Sequence, residues 1–154
     1  MKRFISLFLI LIFVLSVFTA CGSSGKYIIA FDDSYEPFCS LDSKGNAVGF
    51  DVELMKLISK SEAFGIETVS ASLTEIFSLL DSGEVDAVIA ALIPTDEMKE
   101  RYDFSDAYYG RYSLAVEKGK NKELIEKFNE GLKKIKENGK YKTLAEKYSL
   151  GETK

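Results

Sequence analysis

The groups in this chain whose type and position suit chemistry are carboxylates and hydroxyls at the ends of apolar runs. Asp32 closes the run Tyr27-Ile28-Ile29-Ala30-Phe31, where a carboxylate either takes a ligand amine or caps the local turn. Thr95 follows Pro94 at the end of the apolar run 85–93. Its hydroxyl suits a helix cap, accepting from the free N–H groups of Asp96, Glu97 and Met98, better than it suits a ligand. Asp51/Glu53 and Asp103/Asp106 are spaced as paired acids. Without another catalytic partner they read as caps and solvated faces. The chain has no histidine, which removes Ser-His-Asp and Cys-His catalysis and argues against a zinc site.

These residues need elements to place them. Residues 27–31 read as a buried strand, and 35–38 as extended chain, because the residue before Pro37 avoids the helical region. The turn-forming set Asp42, Ser43, Lys44, Gly45 and Asn46 predicts a hairpin tip. Asp51 can cap a helix over 52–63, with Leu54, Met55, Leu57 and Ile58 as its apolar stripe and Gly65 as its stop. A second strand follows over 66–71. A helix from Ser72 or Thr74 runs through Ile76, Phe77, Leu79 and Leu80 to a stop near Gly83. The central run 85–93 is a strand covered on both faces, ended by Pro94. The aromatic stretch 102–109 is partly extended, and 112–116 is a fourth strand. Amphipathic helices over 121–137 and 141–148 close the chain, separated at Asn138-Gly139. Such alternation predicts an α/β fold, a parallel-rich sheet flanked by helices. In open sheets of this kind ligands sit at the carboxyl ends of the strands, so a small-solute site is expected there.

The first twenty residues stand apart. Met1-Lys2-Arg3 is basic, residues 4–18 are apolar apart from Ser6 and Ser16, and small residues precede Cys21. This is the pattern of a secretory signal, similar to the bacterial lipoprotein type in which the cysteine is acylated. The expectation is a signal peptide over 1–20, then a lipidated Cys21 with a short tether over 21–25. A retained membrane anchor is the alternative, since 4–20 is at the short end of what spans a bilayer. Either way the remainder is extracytoplasmic. Removing Lys2 and Arg3 from the 20 basic residues leaves 18 against 24 acidic ones, which argues against a nucleic-acid partner. With Cys21 lipidated, Cys39 has no disulfide partner. The lysines over 118–147 alternate with Glu123, Glu126, Glu130, Glu137 and Glu146, a solvated helical surface rather than a basic patch.

Several blocks together carry a family resemblance. Tyr35-Glu36-Pro37-Phe38, Gly49-Phe50-Asp51-Val52-Glu53-Leu54, Leu80-Asp81-Ser82-Gly83-Glu84-Val85-Asp86-Ala87 and Phe104-Ser105-Asp106-Ala107-Tyr108-Tyr109 resemble the first lobe of family 3 solute-binding proteins. Those are the extracytoplasmic receptors of polar-amino-acid ABC importers. Phe128-Asn129-Glu130-Gly131-Leu132, Asn138-Gly139-Lys140-Tyr141 and Glu146-Lys147-Tyr148 are similar to the family's closing helices. The resemblance implies one lobe of a periplasmic-binding-protein type II fold over 26–150: a first-lobe segment 26–111 and a returning segment 112–150. In the family a second lobe intervenes between two such segments; here Arg111 runs straight into the returning strand, so the second lobe is absent.

The resemblance also implies site positions. Asp32 matches an acidic site residue, and Tyr35 and Leu73 match positions that contact the solute side chain. The family's carboxylate-binding arginine falls on Met98, and small hydroxyl or glycine positions fall on Ala90, Ala91 and Ile93. A thioether cannot supply a guanidinium's paired donors. Arg101 lies one turn along the same helix face, and the backbone N–H groups around Thr95 remain for a carboxylate. The expected ligand-binding set is therefore Asp32, Tyr35, Leu73, Ala91, Ile93, Thr95 and Met98. The implied role is non-catalytic: an amino acid, held without cofactor or metal, is presented to a membrane permease, with a grip weakened by the missing lobe. The face that lobe would cover is open to homodimerisation. The rival readings are a surface interaction or sensory module, and a dehydratase-like enzyme on the same fold; the lack of histidine and of a second lobe argues against the latter.

Overall fold

The computed structural model describes residues 25–151; the expected signal peptide and the lipidation site at Cys21 lie outside the described residues. β1 (Lys26–Asp32) is the second strand of a 5-stranded sheet. It pairs in parallel with β5 (Gly65–Ala71) on one side and β6 (Ala87–Leu92) on the other. β8 (Ser113–Glu117) runs antiparallel to β6, and β7 (Tyr102–Phe104) antiparallel to β8. β5, β1, β6 and β7 thus share one direction and β8 opposes them, giving the parallel-rich α/β fold that the alternation predicts. A small second sheet joins β2 (Ser34–Tyr35), β3 (Cys39–Leu41) and β4 (Ala47–Val48). Its β3–β4 hairpin turns where Asp42 accepts from the Lys44 and Asn46 N–H groups.

The helices cover both faces of the large sheet, which is why its inner strands read as continuous apolar runs. Ile29, Phe31, Ala87, Ile89, Leu114 and Val116 face α1 (Phe50–Ser61), α4 (Lys122–Glu137) and α5 (Lys140–Lys147). The alternate residues Ala30, Val88, Ala90, Leu92 and Ala115 face α2 (Leu73–Ser82) through Ile76 and Leu80. Three expectations about boundaries are corrected. α1 starts at Phe50 with Gly49 as its cap, at φ 128; Asp51 is inside the first turn and fully buried. The left-handed residue beyond that helix is Ala63, at φ 55, whereas Gly65 already begins β5. The run 85–93 also shortens to Ala87–Leu92, because the Asp86 carboxylate accepts from the Ile28 N–H at 2.8 Å and leaves the ladder register to the next residue.

Gly131 of α4 packs against the end of α1. A Cβ built there would stand 2.8 Å from Ile58 Cγ2 and 3.1 Å from Glu62 Cγ. Alanine gains about 1 kcal/mol of helix propensity, but a β-branched neighbour has little room to turn, and overpacking costs about 1–3 kcal/mol. Gly131→Ala should therefore lower the urea midpoint by the equivalent of up to about 2 kcal/mol with an unchanged slope. A higher midpoint would mean that the two helices separate freely.

Candidate functional site

The carboxyl ends of β5, β1 and β6 meet at one edge, since Asp32 pairs with Ala71 and Phe31 with Ile89. Asp32 is buried, and its Oδ1 accepts from the Ser34 N–H at 3.1 Å and the Ser34 hydroxyl at 2.8 Å. That oxygen closes the turn out of β1. Tyr35 follows, 45% exposed, its ring stacked on Phe38 at 5.6 Å. Leu73 opens α2 and is 47% exposed; the Glu75 carboxylate steadies that start by accepting from the Ser72 N–H and hydroxyl. Ile93, 42% exposed, stands just past β6. Tyr35, Leu73 and Ile93 therefore give the edge an apolar border with Asp32 at its floor.

Thr95 caps α3 (Asp96–Arg101), its Oγ1 accepting from the Met98 N–H at 3.2 Å. Met98 itself packs against the α2-side core instead of reaching over the edge. Arg101 does not turn toward the solute edge either. Its Nη2 donates to Asp81 Oδ2 at 2.6 Å, and its guanidinium lies 5.4 Å from the centre of the Tyr102 ring. The edge thus brings together Asp32, Tyr35, Leu73, Ile93 and Thr95, while the half-buried Met98 packs against the α2-side core and Ala91 offers backbone.

Ala91 carries the edge's unusual geometry. β6 and β8 pair at Val88–Ala115 and again at Leu92–Ser113, so β6 bulges between these pairs. Within that bulge Ala91 has φ 48. Its N–H leaves the ladder and donates to Asp51 Oδ2 at 3.1 Å and to the Tyr108 hydroxyl at 3.1 Å. The Tyr108 hydroxyl donates to the same Oδ2 at 2.9 Å. Asp51 Oδ1 is buried without a hydrogen-bond partner. Burial pushes the Asp51 carboxyl up to about 7, against the opposing pull of the Tyr108 hydroxyl and the Ala91 N–H. Burial, then the Asp51 charge, raises Tyr108 well above the ordinary tyrosine value. Cys39 close by is pushed up to about 12 by burial and by Asp51, which leaves its thiol unreactive.

Sequence reasoning reads Asp51 as a cap and misses this cluster. The available signal is an acid between two core residues, Phe50 and Val52, at a helix start that Gly49 already caps. The aromatic packing beneath the edge is also clear only in three dimensions: Phe38 meets Phe50 at 5.9 Å, Tyr109 at 5.5 Å and Tyr112 at 5.1 Å. Between Tyr108 and Tyr112 the chain reverses tightly, Tyr108 N–H donating to Tyr112 O and Tyr112 N–H to Tyr109 O, each at 2.8 Å, with Gly110 at φ 55. Among the described residues no group of three or more acidic or cysteine side chains is placed to hold a metal ion.

Comparison with known proteins places this geometry in context. The family described as bacterial extracellular solute-binding proteins, family 3, matches residues 27–152. A probable histidine-binding protein of Neisseria gonorrhoeae is 38% identical over 103 residues, covering 59% of this chain and 38% of that protein. The arginine-binding extracellular protein ArtP of Bacillus subtilis is 37% identical over 108 residues, covering 65% and 42%. The chain spans about two fifths of the length of these curated relatives. Among solved structures, the second substrate binding domain of a putative amino acid ABC transporter from Streptococcus pneumoniae superposes with TM-score 0.77 at 23% identity, covering 80% of this chain and 99% of that one. The arginine-bound form of domain 1 from TmArgBP gives TM-score 0.66 at 28% identity, covering 73% and 94%.

Proposed function

This chain belongs to the bacterial extracellular solute-binding proteins, family 3, and on that premise we propose that it holds an amino acid at the carboxyl edge of β5, β1 and β6 for an ABC importer. The observation that carries this reading is the edge itself, where an acidic floor at Asp32 is bordered by the exposed Tyr35, Leu73 and Ile93. Asp32 would face the solute's amine and the apolar border its side chain. The relatives named for histidine, arginine and glutamine binding support an amino acid as the solute class. Domain 1 from TmArgBP, a chain that this one covers almost whole, supports the idea that a lobe-sized unit can hold arginine.

In this reading the segments 26–111 and 112–150 form one lobe, joined at Gly110-Arg111 in place of a second lobe. Such a lobe covers the solute from one side only, so charged hydrogen bonds stay screened by water and grip is weak. With a thioether at Met98 and Arg101 held by Asp81, the solute carboxylate has no guanidinium partner. Catalysis is no part of the role. Anchoring through Cys21 would keep the lobe beside its permease, and Cys21→Ser should abolish incorporation of labelled palmitate.

Calorimetry of the purified protein with arginine, histidine and glutamine tests the assignment. Saturable heat with one of them, lost in Asp32→Asn, is the expected result. The three exposed apolar side chains also favour a second reading, a docking face for a membrane partner or a second copy. Absence of heat with every amino acid, together with concentration-dependent dimerisation, would replace the first reading with that one.

A further inference from the structure

The β6 bulge is an irregularity that needs a cause. A non-glycine residue at positive φ costs of order 1 kcal/mol or more and persists only where its surroundings impose it. Bulges beside binding sites re-aim the backbone that follows, and Ala91 is followed by Leu92 and the exposed Ile93 at the proposed solute edge. What imposes the shape at Ala91 comes from distant parts of the chain: a carboxylate from the first turn of α1, 40 residues away, and a hydroxyl from Tyr108, 17 residues away.

We propose that Asp51 is a positioning residue for the solute edge: with Tyr108 it holds the β6 bulge at Ala91 and thereby fixes where residues 91–93 meet the solute. The inference rests on the solute-binding reading for its consequence, whereas the clamp stands on geometry alone. A carboxylate suits the task because an anionic acceptor roughly doubles the strength of the hydrogen bonds it receives. Tyr108 extends the clamp. Its carbonyl accepts from the Tyr141 hydroxyl at 2.5 Å, and its N–H holds the reversal at Gly110-Arg111. The groups that face Asp51 from neighbouring elements are Tyr108, Cys39, Tyr112 and Tyr141. Tyr108 lies well above the ordinary tyrosine value and the other three sit at about 12, so among this set Asp51 is the group whose charge changes near neutral pH.

Two readouts on isotope-labelled protein test the proposal: the Ala91 amide and carbon shifts between about pH 5 and pH 9, and the heat of arginine binding. The Ala91 amide proton should move downfield as pH rises through about 7, when its acceptor becomes anionic. Asp51→Asn keeps an acceptor oxygen but cannot ionise, so Ala91 should stay left-handed and lose its titration. Asp51→Leu should release the bulge and weaken arginine binding about tenfold, the loss expected for a hydrogen bond to a charged group. Tyr108→Phe, which removes one donor and keeps the ring, should move the Ala91 midpoint to higher pH, and it serves also where Asp51→Leu fails to fold. Ala91 carbon shifts that stay unmoved and left-handed in Asp51→Leu, or in Tyr108→Phe where Asp51→Leu fails to fold, would overturn the clamp. Ala91 shifts that move in Asp51→Leu while arginine heat stays constant would overturn the positioning role alone. No arginine heat in any variant, with the amide titration intact, would overturn the binding reading and reduce Asp51 to architecture.

Discussion

Phe50→Ala should destabilise the protein by about 3–5 kcal/mol, the range for deleting a fully buried aromatic ring. Phe50 is 0% exposed and sits where the parts of the chain converge. Its ring meets Phe38 at 5.9 Å, Tyr108 at 6.4 Å, Tyr109 at 6.0 Å, Tyr141 at 6.0 Å and Tyr148 at 6.2 Å. Phe38, Tyr108 and Tyr109 belong to the segment before Gly110, and Tyr141 and Tyr148 to the segment after it. Removing the ring would therefore leave a cavity and also unseat the contacts through which α5 and its following turn lock onto α1. Collapse cannot close that gap cheaply, because Gly49 beside it has Phe38 O only 2.3 Å from where a Cβ would be. Guanidinium melts with near-ultraviolet dichroism would report both effects: a lower midpoint and a weaker tyrosine signal. A loss under about 1.5 kcal/mol would mean that the site repacks, and that the cluster is less rigid than its ring geometry suggests.

The strands and helices were legible because both faces of the sheet are covered. β1 and β6 must be apolar at consecutive positions, so the runs 27–31 and 85–93 announce themselves without alternation, although the second overshoots the strand Ala87–Leu92 at both ends. The helices carry their own stripes, and Thr95 obeys a local capping rule that needs no tertiary information. At the edge, only Asp32 and Thr95 were readable from where apolar runs end; Tyr35, Leu73 and Ile93 were named by the family resemblance, because no local rule marks them. Hidden from sequence were choices made by partners far along the chain. Asp51 has the local look of a cap, yet Gly49 takes that position and Ala91 draws the carboxylate inward. Arg101 could face either way by helical spacing, and Asp81 decides it. Phe38 and Tyr35 are three residues apart and share one stack, but Phe38 is 7% exposed and Tyr35 45%; that division follows from the ring cluster beneath, to which no short motif points.

Asp51 also gives the protein an unusual pH dependence of stability. The Asp51 carboxyl ionises at about 7 in the folded chain against an ordinary value of 3.8. Between those values the folded state keeps a proton that the unfolded chain has released, so this group lowers stability as pH rises, by up to about 1.36 kcal/mol per pH unit. The penalty is absent below the unfolded value and complete above about 7. Glu62, which accepts from Lys134, and Asp103, which accepts from the Gly119 N–H, are held below the usual carboxylate range and act in the opposite sense. They lose stabilisation as pH falls, but both are near the surface and weakly felt. Comparing wild type with Asp51→Asn cancels these other groups. The amide places an NH2 where Oδ1 already lacks a partner, a pH-independent cost of about 1–3 kcal/mol. Asp51→Asn should therefore be the less stable protein in acid, and the difference should shrink and then reverse toward alkaline pH. The crossover is the diagnostic, because a loss of packing or of a hydrogen bond would separate the two curves by a constant. Parallel curves between about pH 5 and pH 9 would show that Asp51 is ionised throughout that range. The Ala91 bulge would then be held by a permanent charge, with no response to protons at the edge.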